Sequence, residues 1–136
     1  MATKDEISSF LKTEFPQNKT QVIEIGNRSA KVVREIGEED LRPGGTVSGP
    51  VLFAVADAGV YAALLGEIGI VPLAVTTNLS INFMRKPPSD RRIIGDCKLL
   101  KVGKSLAVGE VTLYSEGMSE PVAHAVATYS IPPRKS

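Results

Sequence analysis

The sequence predicts an α+β protein in which one antiparallel sheet curls around a single apolar helix. Three observations carry that prediction. From Val51 to Gly66 the only charged residue is Asp57 and no polar stripe is present, so this helix must be surrounded by protein. From Leu73 to Met84 apolar and polar residues alternate without a break, the mark of a long half-buried strand. The order helix, strand, strand, helix and then four strands is a meander and not a βαβ series.

The bounds are those of one unit, residues 1–136, long enough to bury a single sizeable core. The net charge is +1 with charges dispersed along the chain, which argues against a nucleic-acid partner or a polybasic membrane surface. Cys97 is the one cysteine, so there is no intrachain disulfide framework and a reducing compartment is expected. One Cys and one His cannot build the usual zinc sites within a chain, and no metal is expected. Met1 to Phe15 has early acidic residues and no apolar core of a signal peptide, which leads to a cytoplasmic expectation. Gly44-Gly45 lacks the Lys-Ser/Thr of a phosphate-binding P-loop.

In chain order, Thr3 and Glu6 form a capping-box pattern ahead of Ile7, Phe10 and Leu11, giving a helix over about Lys4 to Glu14 within residues 1–16. Gln21 to Gly26 and Ala30 to Ile36 read as two strands joined at Asn27-Arg28-Ser29. A charged connector, Glu38-Glu39-Asp40, leads into a glycine-rich loop. The central helix is expected over residues 50–66, with Ser48 and Gly49 at its cap, Pro50 at its first position, and Gly66, Gly69 and Pro72 ending it. Its length is about 24 Å. After the long strand come Ile93 to Val102, Leu106 to Tyr114 and Val122 to Ile131, stopped by Pro132-Pro133.

In the long strand Leu73, Val75, Thr77, Leu79, Ile81 and Phe83 fall on the face expected to pack on the helix. Thr76, Asn78, Ser80 and Asn82 fall on the other. Small residues in the later strands (Gly95, Ala107, Gly109, Ala123, Ala125 and Ala127) allow the sheet to come close. Open sheet edges favour pairing with a second copy. Asp57 has two readings, a hydrogen-bonded structural fixture or a catalytic carboxylate facing a cleft, since an unpaired buried carboxylate is costly. His124, mid-strand with no nucleophile beside it, reads as structural, and Cys97 as a core thiol.

The loop ending in Ser48-Gly49, Asp57 eight residues after Gly49, and the strand from Thr76-Thr77-Asn78 through Arg85-Lys86-Pro87 resemble the hotdog-fold acyl-CoA thioesterases. The closest group is the PaaI-like, phenylacetate-degradation type. The similarity runs from Gln21 to Pro132 and includes the Lys101-Val102-Gly103-Lys104 hairpin and the Ala125 to Tyr129 strand. The resemblance implies a homodimer, often a dimer of dimers, with active sites between subunits. It also implies hydrolysis of an acyl thioester to an acid and a free thiol, with coenzyme A entering only as part of the substrate and no other cofactor.

Carried onto this sequence, the family's roles make Asp57 the general base or nucleophile. Gly49 becomes the donor of the N–H that polarises the carbonyl, and Thr76 a hydroxyl supplied by the neighbouring chain. Arg42, Ser48, Pro50, Tyr61, Thr77, Arg85, Lys101 and Lys104 are the candidate substrate-binding residues, the cations facing phosphates of CoA beside Lys86. Phe53, Tyr61 and Leu64-Leu65 suggest an apolar acyl pocket between chains. Two departures stand out: Ser48-Gly49-Pro50 replaces a common His-Gly-Gly, and Arg42 stands where an Asn is frequent. Arg42 could pair with Asp57, contact a phosphate or be a solvated loop residue. A non-catalytic thioester-binding protein is the alternative function, followed by a hydratase or dehydratase, which would need a His beside the carboxylate.

Overall fold

A reciprocal cap starts the first helix, α1 (Lys4–Glu14). The Thr3 hydroxyl accepts from the Glu6 N–H at 3.2 Å, and the Glu6 carboxylate accepts from the Thr3 N–H at 2.9 Å. That is the capping box read in the sequence, and it leaves Ile7 and Leu11 buried against the body of the protein. These features come from a computed structural model that describes residues 1–133. Residues 134–136, part of the expected 1–136 unit, lie outside the described residues.

Strands β1 (Gln21–Gly26) and β2 (Ser29–Arg34) form a hairpin. The expected glycine-rich loop is more ordered than a loop. A 3₁₀ turn at Glu38–Asp40 leads into two short paired strands, β3 (Leu41–Arg42) and β4 (Thr46–Val47). The turn between them needs Gly44 and Gly45 because both have positive φ, 99° and 79°. The central helix, α2, runs Gly49–Ile68 and so extends past the expected 50–66. Gly66 does not end it; the stop is Gly69, whose φ of 95° breaks the helical path.

Four long strands follow, β5 (Val75–Phe83), β6 (Ile93–Val102), β7 (Leu106–Ser115) and β8 (Ala123–Ser130), each within two residues of its expected ends. With β1 and β2 they make one antiparallel sheet in the order β1-β2-β6-β7-β8-β5, wrapped around α2. By length and composition α2 could cross a membrane, yet most of it is covered by the sheet. Leu64 and Leu65 are wholly buried in this core, so they do not line a pocket between chains as the sequence suggested.

The small residues work as expected. A Cβ on Gly95 would meet Val32 at 2.9 Å and Val55 at 3.3 Å, and one on Gly109 would meet Val60 at 3.1 Å. On β8 Ala123, Ala125 and Ala127 are all buried. Cys97 sits in the same core, where burial pushes its thiol up to about 12. It is therefore protonated and a poor nucleophile at neutral pH.

Two glycine substitutions separate tight from ordinary packing. Gly95→Ala should lower the unfolding free energy by about 1–3 kcal/mol, because core residues on both sides must shift. Gly59→Ala, whose new methyl meets Val32, Cys97 and Val111 at 3.5–3.7 Å, should be neutral or stabilising by up to about 1 kcal/mol. Urea denaturation of the two variants checks the contrast.

Candidate active site

Six strands cover most of α2 but leave one stripe of it open. Pro50, Phe53, Ala54, Asp57, Ala58 and Tyr61 recur along that stripe at helical spacing and are exposed or half-buried. Asp57 is the stripe's only charge. The side chains that meet it come from β5 and β8.

A β-bulge decides which β5 residue does so. Thr76 lies opposite Tyr129, and Asn78 lies opposite Thr128, leaving Thr77 as an extra residue. Strict alternation places Thr76 on the outer face with Asn78, Ser80 and Asn82. The bulge reverses the phase at that end, so Thr76 turns inward beside Tyr129 while Leu79 and Ile81 still face Ala127 and Ala125. Thr76 Oγ1 then donates to Asp57 Oδ1 of its own chain at 2.5 Å. The expectation that Thr76 reaches a neighbouring chain's carboxylate is corrected by this bond, and the unforeseen bulge is the reason. Thr77 Oγ1 donates outward to the Thr128 carbonyl at 3.3 Å.

A second hydroxyl converges on the same oxygen. Tyr129 Oη donates to Asp57 Oδ1 at 2.7 Å and lies 3.0 Å from the Asp57 carbonyl oxygen. Burial, followed by the neighbouring Asp57 carboxylate, raises the Tyr129 phenol above its ordinary value, so at neutral pH it remains a donor. Its ring stacks on Tyr61 at 5.7 Å, and Tyr61 meets Phe10 of α1 at 6.4 Å. Oδ2 has no hydrogen-bond donor among the described residues. Sequence reasoning missed Tyr129. Its signal was there: it is the one bulky residue in the inward series Ala123, Ala125, Ala127.

Asp57 borders two cavities among the described residues. One, of about 340 Å³, is walled by Phe10, Tyr61, Ala74, Val75 and Thr76. The other, of about 260 Å³, lies among Leu11, Ala54 and Ala58 and opens toward Lys19 and Arg34.

The remaining candidates gather elsewhere. Arg42, Gly49, Pro50, Phe83, Arg85 and Lys86 line a separate groove of about 590 Å³. Arg42 is exposed there and makes no bond to Asp57. Arg85 is partly spent on Glu120 and the Pro121 carbonyl. The Gly49 N–H has no acceptor among the described residues. Phe83 explains the glycine, since a Cβ would meet its ring at 3.2 Å. The approach to Gly49 is fixed by a buried ion pair: Arg34 Nη2 to Asp40 Oδ1 at 2.8 Å. The Asp40 carbonyl in turn accepts from the Ser48 N–H at 2.9 Å. The Ser48 side chain makes no cap bond. Lys101 and Lys104 sit at the β6–β7 hairpin, at the Thr76 end of the sheet and far from Arg42. His124 pairs with Glu110 at 2.9 Å on the outer face of the sheet.

Comparison with known proteins gives a family. The model of the thioesterase superfamily matches residues 44–122. A protein of Silicibacter sp. TM1040, named provisionally as a thioesterase, is 48% identical over 96% of this chain and 92% of its own, with a TM-score of 0.88. Zebrafish thioesterase superfamily member 2 is 18% identical, covering 97% of this chain and 100% of its own, with a TM-score of 0.85. The E. coli PaaI protein of the phenylacetic acid degradation operon is 16% identical over 95% and 94%, with a TM-score of 0.80. These last two share the fold. No curated protein matches the chain at a significant level.

Tyr129→Phe keeps the ring stack and removes both hydroxyl contacts. It should lower stability by about 1–3 kcal/mol, the range for a buried hydrogen bond to a charged group. Thermal denaturation against wild type measures it.

Proposed function

The chain belongs to the thioesterase superfamily and has the hotdog fold of its PaaI-like members; from that membership we propose that it hydrolyses an acyl-CoA thioester at Asp57. The observation that carries the reading is the pair of hydroxyls on one carboxylate oxygen. Thr76 and Tyr129 hold Oδ1, Oδ2 has no donor among the described residues, and Asp57 lines the cavity. Oδ2 takes a proton from water as the water oxygen attacks the thioester carbon. Collapse of the tetrahedral intermediate breaks the C–S bond, and the departing thiolate takes up the proton held on Oδ2, which restores the carboxylate. The products are a carboxylic acid and free CoA. No metal or redox cofactor enters this scheme.

The oxyanion donor must come from a second copy. Gly49 and Asp57 are eight residues apart on one helix, about 12 Å along its axis, too far to act on one carbonyl. β5 is an edge strand with Val75 and Phe83 more than half exposed. Antiparallel pairing of two β5 strands about Leu79 sets Thr76 opposite Asn82 of the partner subunit. The partner's Phe83, and the Gly49 N–H beneath it, then come to Asp57. The groove of Arg42, Arg85 and Lys86 arrives with them, ready for the nucleotide phosphates. Pro50 has no N–H, so Gly49 and Val51 are the donors of that first turn. The lone buried thiol accords with a reducing, cytoplasmic setting.

A second reading, binding of an acyl thioester without turnover, is favoured by Pro50 and by Arg42 in place of the expected Asn. A hydratase is disfavoured because the only histidine, His124, is paired with Glu110 on the outer face of the sheet.

Thiol release from a panel of acyl-CoAs tests the first reading against the second. Asp57→Asn should cut the rate at least ~100-fold while stability holds or rises, since Asn keeps an acceptor for both hydroxyls. Near-normal turnover would remove Asp57 from the chemistry. Because Thr76 and Asp57 act within one chain, mixing Asp57→Asn and Thr76→Ala subunits should restore no activity beyond the average of the two. Recovery in mixed dimers would return Thr76 to the neighbouring subunit's site.

A further inference from the structure

α1 lies outside the residues matched by the family model, yet it builds much of the wall around Asp57. The two cavities that border the carboxylate share four lining residues: Phe15, Asp57, Tyr61 and Tyr129. Three of them are held. Tyr129 is buried and bonded to Asp57. Tyr61 is stacked on Tyr129 and meets Phe10 at a tilt, and its hydroxyl donates to the Pro72 carbonyl at 3.3 Å.

Phe15 is different. It caps the C-terminus of α1, anchored through its backbone N–H to the Leu11 carbonyl at 2.9 Å. The residue is 40% exposed, and its ring stacks on none of the neighbouring rings among the described residues. It also lines a third cavity under α1, so space is available on several sides of the ring. Of the four shared residues, Phe15 is the most exposed, and its side chain has no hydrogen bond or ring pairing among the described residues.

We infer that Phe15 sets the length of straight-chain acyl group that the site accepts. The inference rests on the reading of Asp57 as the hydrolytic centre. The first carbons occupy the apolar cavity of Phe10, Tyr61, Ala74 and Val75. A longer chain must pass Phe15 to reach the second cavity, along Leu11, Ala54 and Ala58. With the ring in place, compact acyl groups are favoured. Without it the passage between the two cavities is wider.

The test is kcat/KM for the series from acetyl-CoA to dodecanoyl-CoA in wild type, Phe15→Ala and Phe15→Trp. Phe15→Ala should raise the dodecanoyl-to-butanoyl ratio by about tenfold or more, the scale on which apolar pockets discriminate between chains. Phe15→Trp should lower it. Calorimetric Kd values for the non-hydrolysable thioethers S-dodecyl-CoA and S-butyl-CoA should shift in the same sense. If both variants fold and every ratio stays near wild type while thiol is released, the role of Phe15 is overturned and hydrolysis stands. If the thioether preference shifts but no thioester is hydrolysed, the length filter stands and the hydrolytic reading falls. No binding and no turnover would overturn both.

Discussion

A helix without a polar face must be enclosed, and the architecture of this protein follows from meeting that constraint at α2. The sheet can close around the helix only where its inward residues are small. Glycine and alanine on β6, β7 and β8 do this, with clearances that leave no room for a methyl at Gly95. Tight approach along the strands fixes the rotation of the helix as well as its depth. The stripe left uncovered is therefore a consequence of packing elsewhere, and Asp57 has its place because Val55, Val60 and Leu64 have theirs.

The carboxylate on that stripe is accommodated by uncharged donors. Two hydroxyls offset the cost of partial burial, and no ion pair reaches the carboxylate among the described residues. Each is held by a regular element: Thr76 by the bulged end of β5, Tyr129 by its pairing between Ala107 and Thr76 near the end of β8. The geometry of Oδ1 is thus set by backbone hydrogen bonding between strands. Opposite it, the helix start and its basic groove are held by a separate device, the buried Arg34–Asp40 pair, which fixes the loop before Gly49. The helix start and the carboxylate are thus fixed by separate devices, one at the first turn of α2 and one at its middle.

Most of the fold was legible because its signals are local. Capping at Thr3 and Glu6, the featureless apolar run of α2 and the long alternation of β5 each follow from neighbouring residues. The order of elements and the position of Asp57 followed from them. What escaped was non-local. The bulge at Thr77 arises from pairing with β8, and alternation within β5 alone cannot reveal it; the assignment of Thr76 to the outer face failed for that reason. Tyr129 was passed over because nothing in its own strand says that it reaches a residue on α2. The β3–β4 hairpin, only two residues on each side, carried no periodicity to read. Leu64 and Leu65 looked like pocket residues because an all-apolar helix does not announce which face it turns outward.

The placement of Cys97 has a consequence for handling the reaction's own product. Thioester hydrolysis releases a thiol, and an accessible protein thiolate could be captured by it as a mixed disulfide under oxidising conditions. The chain's one sulfhydryl is sealed in the core and kept protonated by its surroundings. A thiol freed by hydrolysis would therefore meet no accessible protein sulfhydryl with which to form that disulfide.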